Sequence, residues 1–268
     1  MTLVKEDPIN TGGWTRWEKG KPHLINRIQW DNEEAEGLVE VLKKDWFASG
    51  EYNKKFIKKI SEYTRIPYIN TTNSGSSAIE VALLALKHEG RWRPSDLVLH
   101  PVTTFATSIS SAINLGLTPL FIETKPNTYV ADIEQVSRAI ERYPSTRGMI
   151  LPYLIGNIPD IDKIKGILGS HRFLIEDCCD TLGGTYNSKH IGNFGDYAAF
   201  SFYASHHITA GGGGGAIGTN YKKLHNLAKS LIYWGRDFRP ADDEFIKRYT
   251  YETLGTDSQM TELQAAFG

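Results

Sequence analysis

The sequence predicts an α/β fold, a mostly parallel sheet with helices on both faces. Three observations predict it. Between residues 67 and 177, short apolar runs alternate with segments of helical periodicity. Helices of about ten residues between such runs are the crossovers of right-handed βαβ units. The chain has 268 residues, 40% of them hydrophobic, enough for one large core. No internal repeat or low-complexity linker divides it.

Residues 1–27 are polar and turn-rich and read as an irregular N-terminal arm. Residues 28–268 read as one large domain. The stretch "DNEEAEGLVEVLKKDW" opens with a capping Asp or Asn and acidic residues in its first turn, the signature of a helix start. In "EYNKKFIKKISEYTR", Tyr52, Phe56, Ile60 and Tyr63 fall on one helical face. The alternation follows. "PYINT" precedes helical "SSAIEVALLALKH", and "DLVLH" precedes "TTFATSISSAINLG". "TPLFIE" precedes "DIEQVSRAIERY", and "GMILPYL" precedes "DIDKIKGILGSH", with "FLIED" after it. "DYAAFSFYA" and "GGAIGT" read as two further strands, "NYKKLHNLAKSLIYWGRD" as a helix, and "MTELQAAFG" as a helix start.

Composition narrows the function. A formal charge of -1 gives no electrostatic argument for nucleic acid or a membrane surface. No apolar run approaches the roughly 20 residues of a membrane helix. The N-terminus lacks a signal-peptide core, which predicts a cytoplasmic protein. The only cysteines, Cys178 and Cys179, are vicinal, poor partners for an ordinary disulfide and suited to a reducing compartment. With no second Cys or Cys/His pair they make no zinc pattern, and no metal site is expected.

In parallel sheets, ligands bind at the carboxyl ends of the strands. Four candidate elements sit there. "TTNSGSSA" places small hydroxyls and Gly75 at a helix N-terminus, where free amides bind phosphate; an ordinary N-cap reads the same way. "LIEDCCD" clusters Glu176, Asp177 and Asp180, suited to a cationic heterocycle or a metal, or to a structural ion pair. Phe105 is a lone aromatic after a strand, a core residue unless a flat ring must be stacked. "AFSFYASHHITAGGGGGAIGT" puts Ser201, His206 and His207 before five consecutive glycines. On an extended segment, neighbouring side chains point to opposite sides, so His206 and His207 are not expected in one site. The glycines contain G-x-G-x-x-G but open a strand, not a helix, which argues against a nicotinamide-binding oxidoreductase.

Taken together, "NSGSSA", "VTTFATS", "LIEDCCDTLGGTY", "GNFGDYAAFSF" and "TELQAAFG" resemble, in order and spacing, the DegT/DnrJ/EryC1/StrS sugar aminotransferase family. The resemblance covers roughly residues 25–268. It implies the large domain of the pyridoxal-phosphate (PLP) fold type I, with the family's C-terminal small domain absent. It also implies that Gly75, Ser76 and Ser201 hold the cofactor phosphate and that Phe105 stacks on the pyridine ring. Asp177 would pair with the ring nitrogen and keep it protonated, which makes the ring an electron sink. Asp180 would lie near the ring hydroxyl.

Family aminotransferases carry a lysine five residues after the serine matched by Ser201. Here that residue is His206, which cannot form the covalent cofactor link. The substitution resembles the family's 3-dehydrase branch. Those enzymes use pyridoxamine phosphate (PMP) to remove the 3-hydroxyl of nucleotide-linked 4-keto-6-deoxyhexoses for lipopolysaccharide dideoxysugars. His206 would then be the base, since the reference pKa of an imidazole suits proton removal near neutrality. His207 would be structural.

One dehydrase type carries an iron–sulfur cluster on four cysteines. Only Cys179 matches a ligand position, and Phe238 in "FRPADDEF" cannot ligate iron, so no cluster is expected. The other type regenerates its amine from glutamate, and the cysteine count fits it better. The resemblance further implies a homodimer. Asp257 replaces an Asn that reaches the partner's phosphate, placing like charges together. Two alternatives stay open: a nucleotide-sugar aminotransferase of the same family, and a truncated, non-catalytic cofactor-binding remnant.

Overall fold

A computed structural model of the chain describes residues 30–238 and 244–268; the expected N-terminal arm lies outside them. Helix α1 (Asn32–Lys44) begins as its sequence dictates. Asp31 caps the Glu33 amide, and Glu34 reaches back to the Asp31 amide, closing a capping box. Helix α2 (Glu51–Thr64) buries Phe56 and Ile60. Tyr63, expected on the same face, is exposed. It falls in the last turn, at the edge of the apolar stripe.

Seven strands form the main sheet: β1 (Tyr68–Thr72), β2 (Leu97–Pro101), β3 (Thr118–Ile122), β4 (Gly148–Pro152), β5 (Phe173–Asp177), β8 (Tyr197–Ser201) and β9 (Gly215–Thr219). The remaining two, β6 (Thr185–Tyr186) and β7 (Lys189–His190), pair separately. Asn187 and Ser188 between them both have positive φ, as a two-residue hairpin turn requires. The main sheet runs β1-β9-β8-β5-β4-β2-β3. All of its neighbours are parallel except β9, which is antiparallel to both β1 and β8.

Among the described residues, helices α3 (Gly75–His88), α4 (Ala106–Asn114), α5 (Ile133–Arg142), α6 (Ile161–Leu168), α7 (Lys222–Ile232), α8 (Glu244–Tyr249) and α9 (Glu262–Phe267), with a 3-10 turn at Leu154–Gly156, complete the fold. Strand alternation divides the apolar residues into two layers. Val98, Ile150, Phe173, Ile175, Tyr197, Ala199 and Ile217 pack with α3, α4 and α7. Leu99, Met149, Leu151, Leu174, Ala198, Phe200 and Ala216 pack with α2, α5 and α6. The predicted three-layer architecture is therefore the observed one.

The strand expected to run through "DYAAFSFYA" stops at Ser201. Beyond it the chain turns, with the His206 amide donating to the Tyr203 carbonyl at 3.0 Å. Strict alternation thus does not govern His206 and His207. A second feature had no local signal. The N-cap of α2 is Gly50, which has no side chain to cap with. Glu262 of α9 does this instead, accepting from the amides of Gly50 (2.7 Å), Tyr52 (2.5 Å) and Asn53 (3.2 Å).

Candidate active site

The face of the sheet that carries α3 and α4 gathers the candidate residues at its carboxyl edge. Helix α3 starts against β8. A Cβ added to Gly75 would meet Ser201 Cβ and Cys179 Sγ, each at 2.8 Å. Glycine is therefore required at this point, and it seats the helix N-terminus directly on Ser201. Gly215, the last of the five glycines, plays the matching part. A Cβ there would lie 2.6 Å from the Gly75 amide nitrogen. The glycine run lets β9 pass close beneath the head of α3.

Ser74 caps this helix by accepting from the Ser77 amide at 3.1 Å. The amides of Gly75 and Ser76, at the first two helical positions, have no intrahelical acceptor and face the helix's positive end. Ser76 Oγ donates to Thr107 Oγ1 at 2.7 Å, joining the first turns of α3 and α4. Small hydroxyls, free amides and a close-packed glycine make an anion cradle.

Asp177, at the end of β5, is buried. It accepts from Ser108 Oγ at 2.8 Å and from the Cys179 amide at 3.3 Å. Burial raises its pKa, and these hydrogen bonds oppose the shift. A protonated ring nitrogen at this carboxylate would offset the burial cost. Phe105 is the N-cap of α4, two residues before Thr107, and is 66% exposed. A large aromatic held in the open beside an anion cradle is placed to stack on a flat ligand.

The "LIEDCCD" cluster is divided by the sheet. Glu176 faces the opposite layer from Asp177, as alternation requires. It is fully buried and accepts from Tyr153 Oη (2.8 Å) and from the amides of Gly192 (2.7 Å), Phe194 (2.7 Å) and Gly195 (2.6 Å). Burial raises its pKa against those four donors. Glu176 is thus spent on holding the 192–195 loop and is not a ligand group. Burial also pushes the Cys178 and Cys179 thiols up, so both are protonated packing groups.

Asp180 meets His206. His206 Nδ1 lies 3.3 Å from Asp180 Oδ1. The hydrogen bond from His206 is the main cause of a lowered Asp180 pKa, with the Ile155 amide also contributing. An ionised carboxylate only accepts, so Nδ1 carries the proton and Nε2 of the neutral ring keeps its lone pair. His206 is half-buried and His207 exposed, so the two rings do sit in different environments. Their separation comes from a turn, not from strand alternation.

Two site residues were not singled out from sequence, Thr107 and Ser108. Their signal was present in "TTFATS", where hydroxyls occupy the first turn of a helix following a strand. Asp257 is exposed and accepts from Gln259 Nε2 at 3.3 Å.

Comparison with known proteins sets this geometry in context. The chain is 33% identical over 258 residues to lipopolysaccharide biosynthesis protein RfbH of Salmonella typhimurium, covering 88% of this chain and 58% of that protein. It is 28% identical over 252 residues to GDP-4-keto-6-deoxy-D-mannose 3-dehydratase of Escherichia coli O55:H7, covering 89% of this chain and 64% of that one. GDP-perosamine synthase of Escherichia coli O157:H7 is 31% identical over 238 residues, with 88% and 61% covered. The chain thus spans about three fifths of the length of these relatives. Among solved structures, the E. coli 3-dehydratase with bound hydrated PLP superposes with a TM-score of 0.84 at 27% identity. That match covers 90% of this chain and 64% of the other. The DegT/DnrJ/EryC1/StrS aminotransferase family matches residues 29–268, and the chain belongs to that family.

Proposed function

We propose that the protein binds PMP, or its aldehyde form PLP, and acts on a nucleotide-linked 4-keto-6-deoxyhexose. The reaction is removal of the 3-hydroxyl on the route to a lipopolysaccharide dideoxysugar. One observation carries this reading: a histidine, His206, held against a carboxylate, stands where family aminotransferases have lysine.

When bound, the cofactor supplies an amine that condenses with the sugar ketone and a ring that accepts electrons. The chain's own residues do the rest. The amides of Gly75 and Ser76, with Ser201, hold the phosphate. Phe105 covers the ring. Asp177 keeps the ring nitrogen protonated from a buried position, where its charge is weakly screened. Asp180 holds His206 Nδ1–H, which would leave Nε2 free to take a proton from the carbon beside the cofactor's amine. The resulting imidazolium is stabilised by Asp180 and can return a proton to the departing hydroxyl, which leaves as water.

GDP-perosamine synthases among the relatives favour a second reading, a nucleotide-sugar aminotransferase. It requires a lysine in the site. Lys189 donates to the Asn193 carbonyl, and Lys222 opens α7, so neither takes the His206 position. A third reading is a chain that binds the cofactor without turnover. Assembly as a cytoplasmic homodimer, with glutamate as amino donor, belongs to the proposal. The glutamate part draws on a solved 3-dehydratase that holds a PLP–glutamate adduct.

Absorbance spectra of the protein with PMP, and then with the sugar nucleotide, test the readings. A PMP spectrum that changes on adding sugar, with release of 3-deoxy product, supports dehydration. An aminated sugar supports transamination, and binding without change supports cofactor binding without turnover. His206→Asn should keep PMP binding and lower elimination roughly 10²–10⁴-fold. His207→Asn should do much less. A larger loss at His207 would assign the base to the wrong residue.

A further inference from the structure

Ile155 is the one β-branched residue with positive φ among the described residues, at φ 53° and ψ 35°. Left-handed backbone suits glycine or asparagine and disfavours a side chain branched at Cβ. Ile155 is also 74% exposed. Its side chain therefore gives the fold little burial, while its backbone carries a cost that glycine would not. The surroundings enforce the conformation. The Tyr153 amide donates to the Asp177 carbonyl at 3.0 Å, and Thr181 Oγ1 donates to the Tyr153 carbonyl. The Asn157 amide donates to the Leu154 carbonyl at 2.9 Å, closing the turn around Ile155. This clamps the β4–α6 connection onto the turn that carries Asp177 and Asp180. Strain held in place by its surroundings, at a residue the fold does not need, marks a functional position.

We infer that Ile155 is a specificity-determining residue, whose exposed aliphatic side chain contacts the apolar, deoxygenated side of the hexose beside Asp180 and His206. The inference rests on the proposed sugar-nucleotide reading. A 6-deoxyhexose presents a methyl group where an ordinary hexose presents a hydroxymethyl. An aliphatic side chain rewards the first and leaves the extra hydroxyl of the second without a partner. Asp180, which accepts from the Ile155 amide and pairs with His206 at 3.3 Å, supplies polar groups next to it.

The decisive variant is Ile155→Gly. Glycine takes the same backbone conformation and keeps the amide beside Asp180, so only the side chain is lost. Thermal unfolding should shift upward or stay unchanged, and PMP affinity should be unaltered. Calorimetric titration with a nucleotide-linked 6-deoxyhexose should show affinity weakened about tenfold or more. The corresponding 6-hydroxy sugar nucleotide should bind the variant as well as or better than wild type. If the 6-deoxy ligand binds wild type and variant equally, the inference is overturned while the functional reading stands. If wild type binds neither sugar nucleotide, both are overturned, and the failure is visible without the variant. Loss of stability or of PMP binding in the variant would show that the side chain serves the fold, which also overturns the inference.

Discussion

Asp180 Oδ1 and His206 Nδ1 stand 3.3 Å apart, although the two residues are 26 positions apart in the chain. The carboxylate ends the turn after β5, and the imidazole sits in the turn after the neighbouring parallel strand β8. Sheet pairing makes the contact, and the contact sets the tautomer. Asp180→Asn should therefore release Nδ1 from its fixed role as donor. An amide can donate to Nδ1 and so move the ring proton to Nε2. The expected result is a shift of the His206 ring ¹⁵N signals toward the other tautomer. Elimination should fall roughly 10²–10⁴-fold while PMP binding persists. Unchanged ring signals would mean that Asp180 does not set the tautomer.

Gly75→Ala tests the anion cradle. The new methyl would press on Cys179 Sγ and on Ser201 at once. Overpacking of this kind costs about 1–3 kcal/mol. PMP affinity should fall further than stability does, because Ser201 and the head of α3 are pushed apart. Calorimetric titration with PMP alongside urea unfolding separates the two effects. Equal PMP affinity in the variant would place the phosphate elsewhere.

The long-range cap predicts a stability effect remote from the chemistry. Glu262→Ala would leave the amides of Gly50, Tyr52 and Asn53 without their acceptor in a buried setting. The expected loss is about 2–3 kcal/mol by urea unfolding. Hydrogen exchange should quicken first at those three amides. Glu262→Gln, which keeps one acceptor oxygen, should lose less. A neutral outcome for Ala would show that water replaces the carboxylate.

His100 predicts the acid limb of stability. It is fully buried on β2, and neither ring nitrogen has a hydrogen-bond partner. Burial pulls its pKa down from 6.5 to about 4. Below about pH 6.5 the unfolded chain takes up a proton that the folded chain refuses until about pH 4. The contribution is thus complete above about pH 6.5 and is lost as pH falls toward 4, about 3 kcal/mol in all. His100→Leu should flatten this limb, read as the difference in denaturant midpoint between pH 7 and pH 5. A variant with the wild-type pH dependence would show that other groups set the limb.

The sequence by itself determined the layers and named the candidate residues of the site. Strand and helix periods are local properties, and so are capping signals such as Asp31 with Glu34 and Ser74 with Ser77. The candidate residues Gly75, Ser76, Phe105, Asp177, Ser201 and His206 were named from local motifs that resemble the family's and lie at or just beyond strand ends, and Gly75 answers to packing as well. What the sequence could not decide was partnership between distant segments. Glu176 and Asp177 read as one acidic cluster, and only the alternation of β5 sends one to the 192–195 loop and the other to Ser108. Glu262 gave no sign that it caps a helix more than 200 residues away. The end of β8 at Ser201 was likewise invisible, because "SFYA" keeps strand composition beyond the point where pairing with β9 ceases. Composition and period act over a few residues. Which carboxylate meets which amide or imidazole is fixed only when the sheet closes its register and brings the strand ends together.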